Sequence, residues 1–333
     1  METIFASGSL HIYALLFATP WILLALLATF GDACVGYIDE LLLRRLAKRN
    51  TTSTIEIDAP GRLLLISGFF GFVTCLCAFF ASLFLGPDYT LHVPLQSLFL
   101  AISAGILEVT WMIPYFIALE RGGAINTTPL FQTIPIFSLF FGLTIFNEIP
   151  TTLHIVATLL IIAGAVALNY SPETKRMNVV TLNLMLLASA IISIGFFLFK
   201  DASVQGNVVA SLFGNGLGMG LFSSLIWTIW PPYRKQFNDF LHTLNPRILA
   251  IQVSNEGLYA LSTTASQMAI VFGPSVMVVT AFNAFHPIFT LLIGVFLAKL
   301  GSQEHMQNLA HGQLLVKTAA VLCIAVGAFL IVV

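Results

Sequence analysis

ALERGGAINTTPLFQTIPIFSLFFGLTIFNEIPTTLHIVATLLIIAGAVALN, residues Ala118–Asn169, is the stretch on which the fold turns. It holds two long apolar runs, the first broken by Pro135, joined by the polar hinge Asn147-Glu148-Ile149-Pro150. Near the C-terminus, Pro135-Ile136-Phe137-x-Leu139-x-x-Gly142 recurs as Pro287-Ile288-Phe289-x-Leu291-x-x-Gly294. A Pro-broken apolar run that appears once in each half points to a duplicated unit.

The surroundings of that stretch fix the solvent. Of 333 residues, 58% are hydrophobic and 9% charged, and the mean hydropathy is +0.94. Soluble domains carry about a quarter charged residues, so the composition is that of a polytopic membrane protein. Net charge −1, with no basic patch, gives no sign of nucleic acid. Cys34, Cys75, Cys77 and Cys323 lie in or beside apolar runs and read as small core hydrophobes. The first residues lack a positive n-region and a small-residue cleavage site, so the first apolar run is expected to be retained as a helix.

A spanning helix needs about 20 apolar residues. That rule predicts an all-α polytopic fold with ten transmembrane helices, near 11–35, 62–86, 95–118, 124–146, 151–169, 179–200, 207–230, 247–271, 274–299 and 314–333. Leu41–Arg49 extends the first of them as an amphipathic turn or two, and 231–246 reads as a connection. Pro172–Arg176 separates two five-helix units, 1–171 and 179–333, with 172–178 as linker. Of the fourteen Lys and Arg, all but Lys200 fall on odd-numbered connections or their flanks. The positive-inside rule then puts those connections in the cytoplasm and both termini outside. Trp227 and Trp230 fit an aromatic belt on the cation-rich side.

The repeat extends beyond the proline motif. Ala118-Leu119-x-x-Gly122 pairs with Ala269-Ile270-x-x-Gly273, thirteen positions separate Gly122 from Pro135, and fourteen separate Gly273 from Pro287. The last helices match at Gly164-Ala165 and Gly327-Ala328. Five helices is an odd number, so the second unit enters the membrane in the opposite sense. Two such units form inverted repeats that can open to either side, which is the logic of alternating access.

The order AL, G, PLFQ, PIF, G, NE, G across 118–169 resembles the EamA-type repeat of the drug/metabolite transporter superfamily. Residues 269–333 resemble a more diverged copy, with Ala298-Lys299 where the first has Asn147-Glu148. Gly36-Tyr37-Ile38-Asp39 running into Leu41-Leu42-Leu43 is similar to the opening helix of some members, with Glu40 where a Lys often stands. The resemblance implies ten helices, a central cavity and transport of small organic solutes. It also implies cytoplasmic termini, opposite to the charge tally.

Charged groups at membrane depth cost about 2.5–3.5 kcal/mol each on insertion scales, so each needs a reason. Glu108 lies mid-run with Trp111 and Tyr115 one or two turns on, an acid beside aromatics suited to a cationic or amphipathic solute or to carrying a proton. Glu256 is its expected partner, because the repeat aligns Glu108 near Tyr259, one turn away. Asp32 either lines the cavity or pairs with a cation near the interface. Asp39 and Glu40 read as interfacial ion-pair formers beside Arg44 and Arg45. Pro287 frees the carbonyl of Asn283 beside His286, and Asn126 and Gln132 are the related candidates in the first unit. Pro135 and Pro287 mark the helix kinks. Glu148 reads as a helix-start device before Pro150.

These observations predict a secondary transporter of a small organic solute (a metabolite, an amino acid or an amphipathic drug), with protons as a candidate coupling ion and a cavity lined by helices 1, 3, 4, 6, 8 and 9. No cofactor, catalytic residue or metal site is assigned. The partners are the solute and the bilayer, bacterial cytoplasmic membrane is the expected location, and the oligomeric state is open, with a monomer as the simplest unit. The alternative is a membrane-embedded enzyme acting on a lipid or isoprenoid, with Glu108 and His286 as acid and base. No HExxH, GxSxG, P-loop or Asp-rich prenyl-transfer motif supports it.

Overall fold

The computed structural model describes residues 20–49, 60–169, 179–242, 246–299 and 314–332. Within these, the side chains of Glu40, Asn126 and Pro287, of residues 43–49, 122–125 and 314–318, and of some others lie outside the description. The described residues are helical with no strand. Lipid offers the backbone no partner, and a helix satisfies its own N–H and C=O groups.

The first half holds α1 (Pro20–Arg49), α2 (Pro60–Phe84), α3 (Leu95–Thr127), α4 (Ile134–Thr144) and α5 (Thr152–Asn169). The second holds α6 (Val179–Gln205), α7 (Val208–Ile229), α8 (Pro231–His242), α9 (Pro246–Phe272), α10 (Val276–Ala281), α11 (His286–Lys299) and α12 (Leu314–Val332). Among the described residues, five segments are long and apolar enough to cross a bilayer: Pro20–Asp39, Pro60–Phe84, Leu95–Arg121, Val179–Gln205 and Val208–Ile229. The α5 and α12 segments are apolar but shorter.

α1 is one helix through Arg49, so Leu41–Arg49 extends the first apolar run as the sequence predicts. Two features differ from the sequence expectation. The expected connection 231–246 contains α8, which opens on Pro231-Pro232, residues tolerated in a first helical turn. α8 buries Phe240 under the Arg62 guanidinium, 4.8 Å from the ring, and sets Phe237 against Phe69. Each Pro-broken helix is a helix, a 3-10 turn and a second helix. Thr128–Thr133 precedes α4 and Phe282–Phe285 precedes α11, with Pro135 and Pro287 each the second residue after the turn. A proline has no N–H to donate, so it fits a first turn better than a helix interior.

The hydrogen bonds fix directions. Ser97 Oγ donates to the Ala202 carbonyl at 2.8 Å, and Gly195 faces Ala104 and Leu107, so α3 runs antiparallel to α6. Thr133 meets Ser189, Ser138 meets Ser193 and Gly142 meets Phe197, so α4 runs parallel to α6. The chain therefore reverses between α3 and α4.

The major packing pairs each join one half to the other: α1 with α9, α2 with α7, α3 with α6, α4 with α10 and α5 with α12. Small residues permit the close approach such pairs need in lipid. At the α5–α12 crossing, a β-carbon at Gly164 would stand 2.7 Å from the Ala320 carbonyl oxygen, and one at Gly327 would stand 2.8 Å from that of Ala157. The two contacts are reciprocal, and Gly164 and Gly327 are the glycines that the sequence repeat matches.

One end of the molecule is closed. Trp21, Ile22, Ile134, Phe197, Met277 and Phe282 share one buried core. Phe146 stacks on Phe197 with ring centres 4.4 Å apart, and Lys200 Nζ pairs with Glu148 Oε1 at 2.7 Å. This is the cation-poor side.

Candidate functional site: a carboxyl-lined cavity

α1 starts in the closed core at Trp21 and carries Asp32, Val35, Gly36 and Asp39 into a cavity farther along, toward the cation-rich side. The opposing walls come from α3, α6, α9, the two 3-10 turns and Ser67 of α2. The cavity leaves about 110 Å³ for the centres of water molecules. A single water needs roughly 10–15 Å³ by that measure, so the space is that of a small organic molecule.

Four carboxyls line it: Asp32, Asp39, Glu108 and Glu256. Each has defined protein partners. Ser262 Oγ donates to Asp32 Oδ1, and Tyr259 Oη donates to Glu108 Oε1. Trp111 Nε1 approaches the same Glu108 oxygen at 3.4 Å. Asn255 Nδ2 donates to Asp39 Oδ1 at 2.8 Å, and Tyr115 also bonds Asp39. Gln252 Nε2 donates to Glu256 Oε1 at 2.6 Å, with Ser67 as a further partner. Glu108 lies close enough to Asp32, and Glu256 to Asp39, for each pair to repel. Among the described residues no Lys or Arg lines the cavity, so its described wall is acidic.

The apolar wall is aromatic. Trp111 and Tyr115 lie 5.3 Å apart, Tyr115 and Phe131 5.4 Å, and Phe131 and His286 6.1 Å, ring centre to ring centre. Such faces attract organic cations. Among the described residues no group of three His, Cys, Asp or Glu is arranged to hold a metal ion.

The sequence candidates Asp32, Glu108, Trp111, Tyr115, Glu256, Tyr259, Asn283 and His286 all line this one cavity. Glu108 and Tyr259, which the repeat puts in register, touch each other. Glu256 is 2% exposed and stands inside the cavity. The His286 ring bonds the Asp32 backbone and contacts Thr290 Oγ1 at 3.3 Å. The carbonyl of Asn283, expected to be freed by Pro287, accepts from Gln132 Nε2 at 3.2 Å, so Gln132 is a buried bridge between the two 3-10 turns. The Asn126 side chain lies outside the described residues.

Two sequence readings are corrected. Asp39 does not sit at the interface: it is 5% exposed and faces the cavity, because α1 continues past it. The signal was present in the numbering, since Asp32 and Asp39 are seven apart and share a helix face. Glu148 starts a helix, but not the one after Pro150: its Oε2 accepts from Val276 N at 2.9 Å, the first residue of α10 in the other half. Ser67, Asn255 and Phe196 are further lining residues that no sequence pattern marked.

An all-helical membrane protein with a polar cavity between its halves is of the class that carries solutes across bilayers. Residues 12–170 match the model of the EamA-like transporter family. By that match, the N-terminal half of the chain is similar to the EamA-type transporters of the drug/metabolite transporter superfamily. No curated protein sequence matches this one. One solved crystal structure shares the fold over 90% of this chain and 96% of its own, at 18% identity and a TM-score of 0.55.

Proposed function

We propose that the protein is a secondary transporter of a small organic cation, working by alternating access between two inverted five-helix repeats. The observation that carries this reading is the cavity itself: four carboxyls and an aromatic wall at membrane depth, with no Lys or Arg among the described lining residues. The inverted repeat is supported by the packing pairs. Exchange of the halves turns α1–α9 into α3–α6, and leaves α2–α7 and α5–α12 each mapped onto itself. It is also supported by the reciprocal Gly164–Ala320 and Gly327–Ala157 contacts. The two 3-10 turns are the hinges of this scheme, because a tighter turn inside a helix is where its two ends move independently. In the conformer described, the cation-poor side is shut by the Phe146–Phe197 stack and the Lys200–Glu148 pair.

On this reading Glu108 binds the solute or the proton exchanged for it. A bacterial cytoplasmic membrane is the proposed location, with the cation-rich side in the cytoplasm. The test is uptake of a panel of organic amines into proteoliposomes, with and without a pH gradient. Wild type accumulates at least one amine, and Glu108→Gln slows its entry by about tenfold or more. Equal rates in the two proteins would remove Glu108 from the site. Absence of flux for every panel member, whichever way the gradient points, would overturn the transport reading.

A further inference from the structure

Within that transport reading, we infer that the cavity is shaped for a linear solute with an ammonium group at each end, a diamine or longer polyamine. The acids are not scattered. Asp32 and Glu108 make one repelling pair, and Asp39 and Glu256 another. Asp32 and Asp39 lie two turns apart on one face of α1, about 10 Å along the axis. Between them the wall is Val35 and Gly36 from α1, with Met112 facing from α3. The order acid pair, apolar step, acid pair is the complement of ammonium, methylene chain, ammonium.

A second, independent feature sits at the Asp39 end. Asn255 is 1% exposed and lines the cavity; its Nδ2 is spent on Asp39, and its Oδ1 has no partner. A buried acceptor left unmade costs about 1–3 kcal/mol. An ammonium has three donors and no acceptor, and Asp39, Glu256 and Asn255 Oδ1 together offer it acceptors alone. At the other end Trp111 and Tyr259 add ring faces to Asp32 and Glu108. Among the described residues no Lys or Arg stands on the wall to receive a carboxylate, so an amino acid is a poorer fit than an amine of equal length.

The measurement is calorimetric binding to the purified full-length protein in nanodiscs, paired with the proteoliposome uptake above. The ligands are α,ω-diaminoalkanes from propane to decane, the monoamines of matching length, and one ω-amino acid. The expected result is an affinity optimum at one chain length, with the diamine there bound at least about tenfold more tightly than its monoamine, and the ω-amino acid weakest. Asp39→Asn and Glu256→Gln should each bring the diamine-to-monoamine ratio toward one. Equal binding of diamines and monoamines, or no length optimum, overturns the inference on wild type alone, whatever the variants do. Uptake of monoamines without any diamine preference overturns it while leaving the transport reading intact. Length-selective diamine binding without flux supports the assigned ligand and removes the transport reading instead.

Discussion

Gly105 stands where α3 crosses α7, and a β-carbon there would lie 2.0 Å from the Asn215 carbonyl oxygen. That neighbour is backbone and cannot swing aside, so the two helices would have to part. Gly105→Ala is expected to destabilise the protein by about 1–3 kcal/mol, the usual range for overpacking, and to lower the melting temperature of the purified protein. Gly257 is its control, one residue from Glu256 on α9 with nothing within 4 Å of the added carbon. Gly257→Ala should leave the melting temperature unchanged or raise stability by about 0.5–1 kcal/mol, since helical glycine carries an entropic penalty that alanine lacks. A similar loss in both variants would mean that the close approach of α3 and α7 is not what decides at Gly105. The same contrast explains which residues were legible in advance. Glu108 announced itself because a charge inside an apolar run has no cheap alternative. Asp39 did not, because four arginines and lysines follow it, and sequence distance to a cation says nothing about which way a helix face points.

Glu148 links two elements from opposite halves. One oxygen takes the Lys200 ammonium at the end of α6, the other the Val276 N–H at the start of α10, and Ser275 caps the same helix through Val278 N. A carboxylate at a helix N-terminus satisfies an orphan donor and opposes the macrodipole. The hinge that presents it is held by Asn147 at φ 53°, a left-handed conformation that asparagine tolerates. The second half has Ala298-Lys299 in the matching place, so no equivalent carboxylate stands there. The closure on the cation-poor side is thus chemically one-sided. Glu148→Gln keeps a weaker cap and loses the ion pair, a change of about 1–2 kcal/mol. Amide exchange across α10 should then accelerate roughly tenfold, by mass spectrometry, with α5 and α12 unaffected. Unchanged protection in α10 would show that the buried apolar core alone holds that end shut. α8, by contrast, was hidden from the sequence by its polarity: Arg234, Lys235, Gln236, Asn238 and Asp239 read as a loop, and only its packing on Arg62 and Phe69 makes it an element.

At the scale of the molecule, what the sequence disclosed was pattern that survives averaging: apolar run length, the proline-centred repeat, and charge asymmetry. What it withheld was the relation between distant helices, because Asn255 meeting Asp39 or Gln132 meeting the Asn283 carbonyl depends on packing across more than 150 positions. Orientation belongs to the first group. By the ten-helix expectation thirteen of fourteen cations fall on one side, and cytoplasmic Lys and Arg excess sets topology in most membrane chains. The EamA-type resemblance puts the termini, and so this whole face, the other way. An inverted repeat makes both outcomes mechanically sound, since exchanging the halves restores the same architecture. Two exposed positions decide it: Asp88, in the short 3-10 turn between α2 and α3, and Arg234, in α8. Each is replaced by cysteine in a background lacking Cys34, Cys75, Cys77 and Cys323, and intact cells are treated with a membrane-impermeant maleimide. The charge asymmetry predicts that Asp88→Cys is labelled from outside and Arg234→Cys only after permeabilisation. The reverse pattern would put the open end of the carboxyl cavity outside the cell and turn the Glu148–Lys200 closure into a cytoplasmic gate.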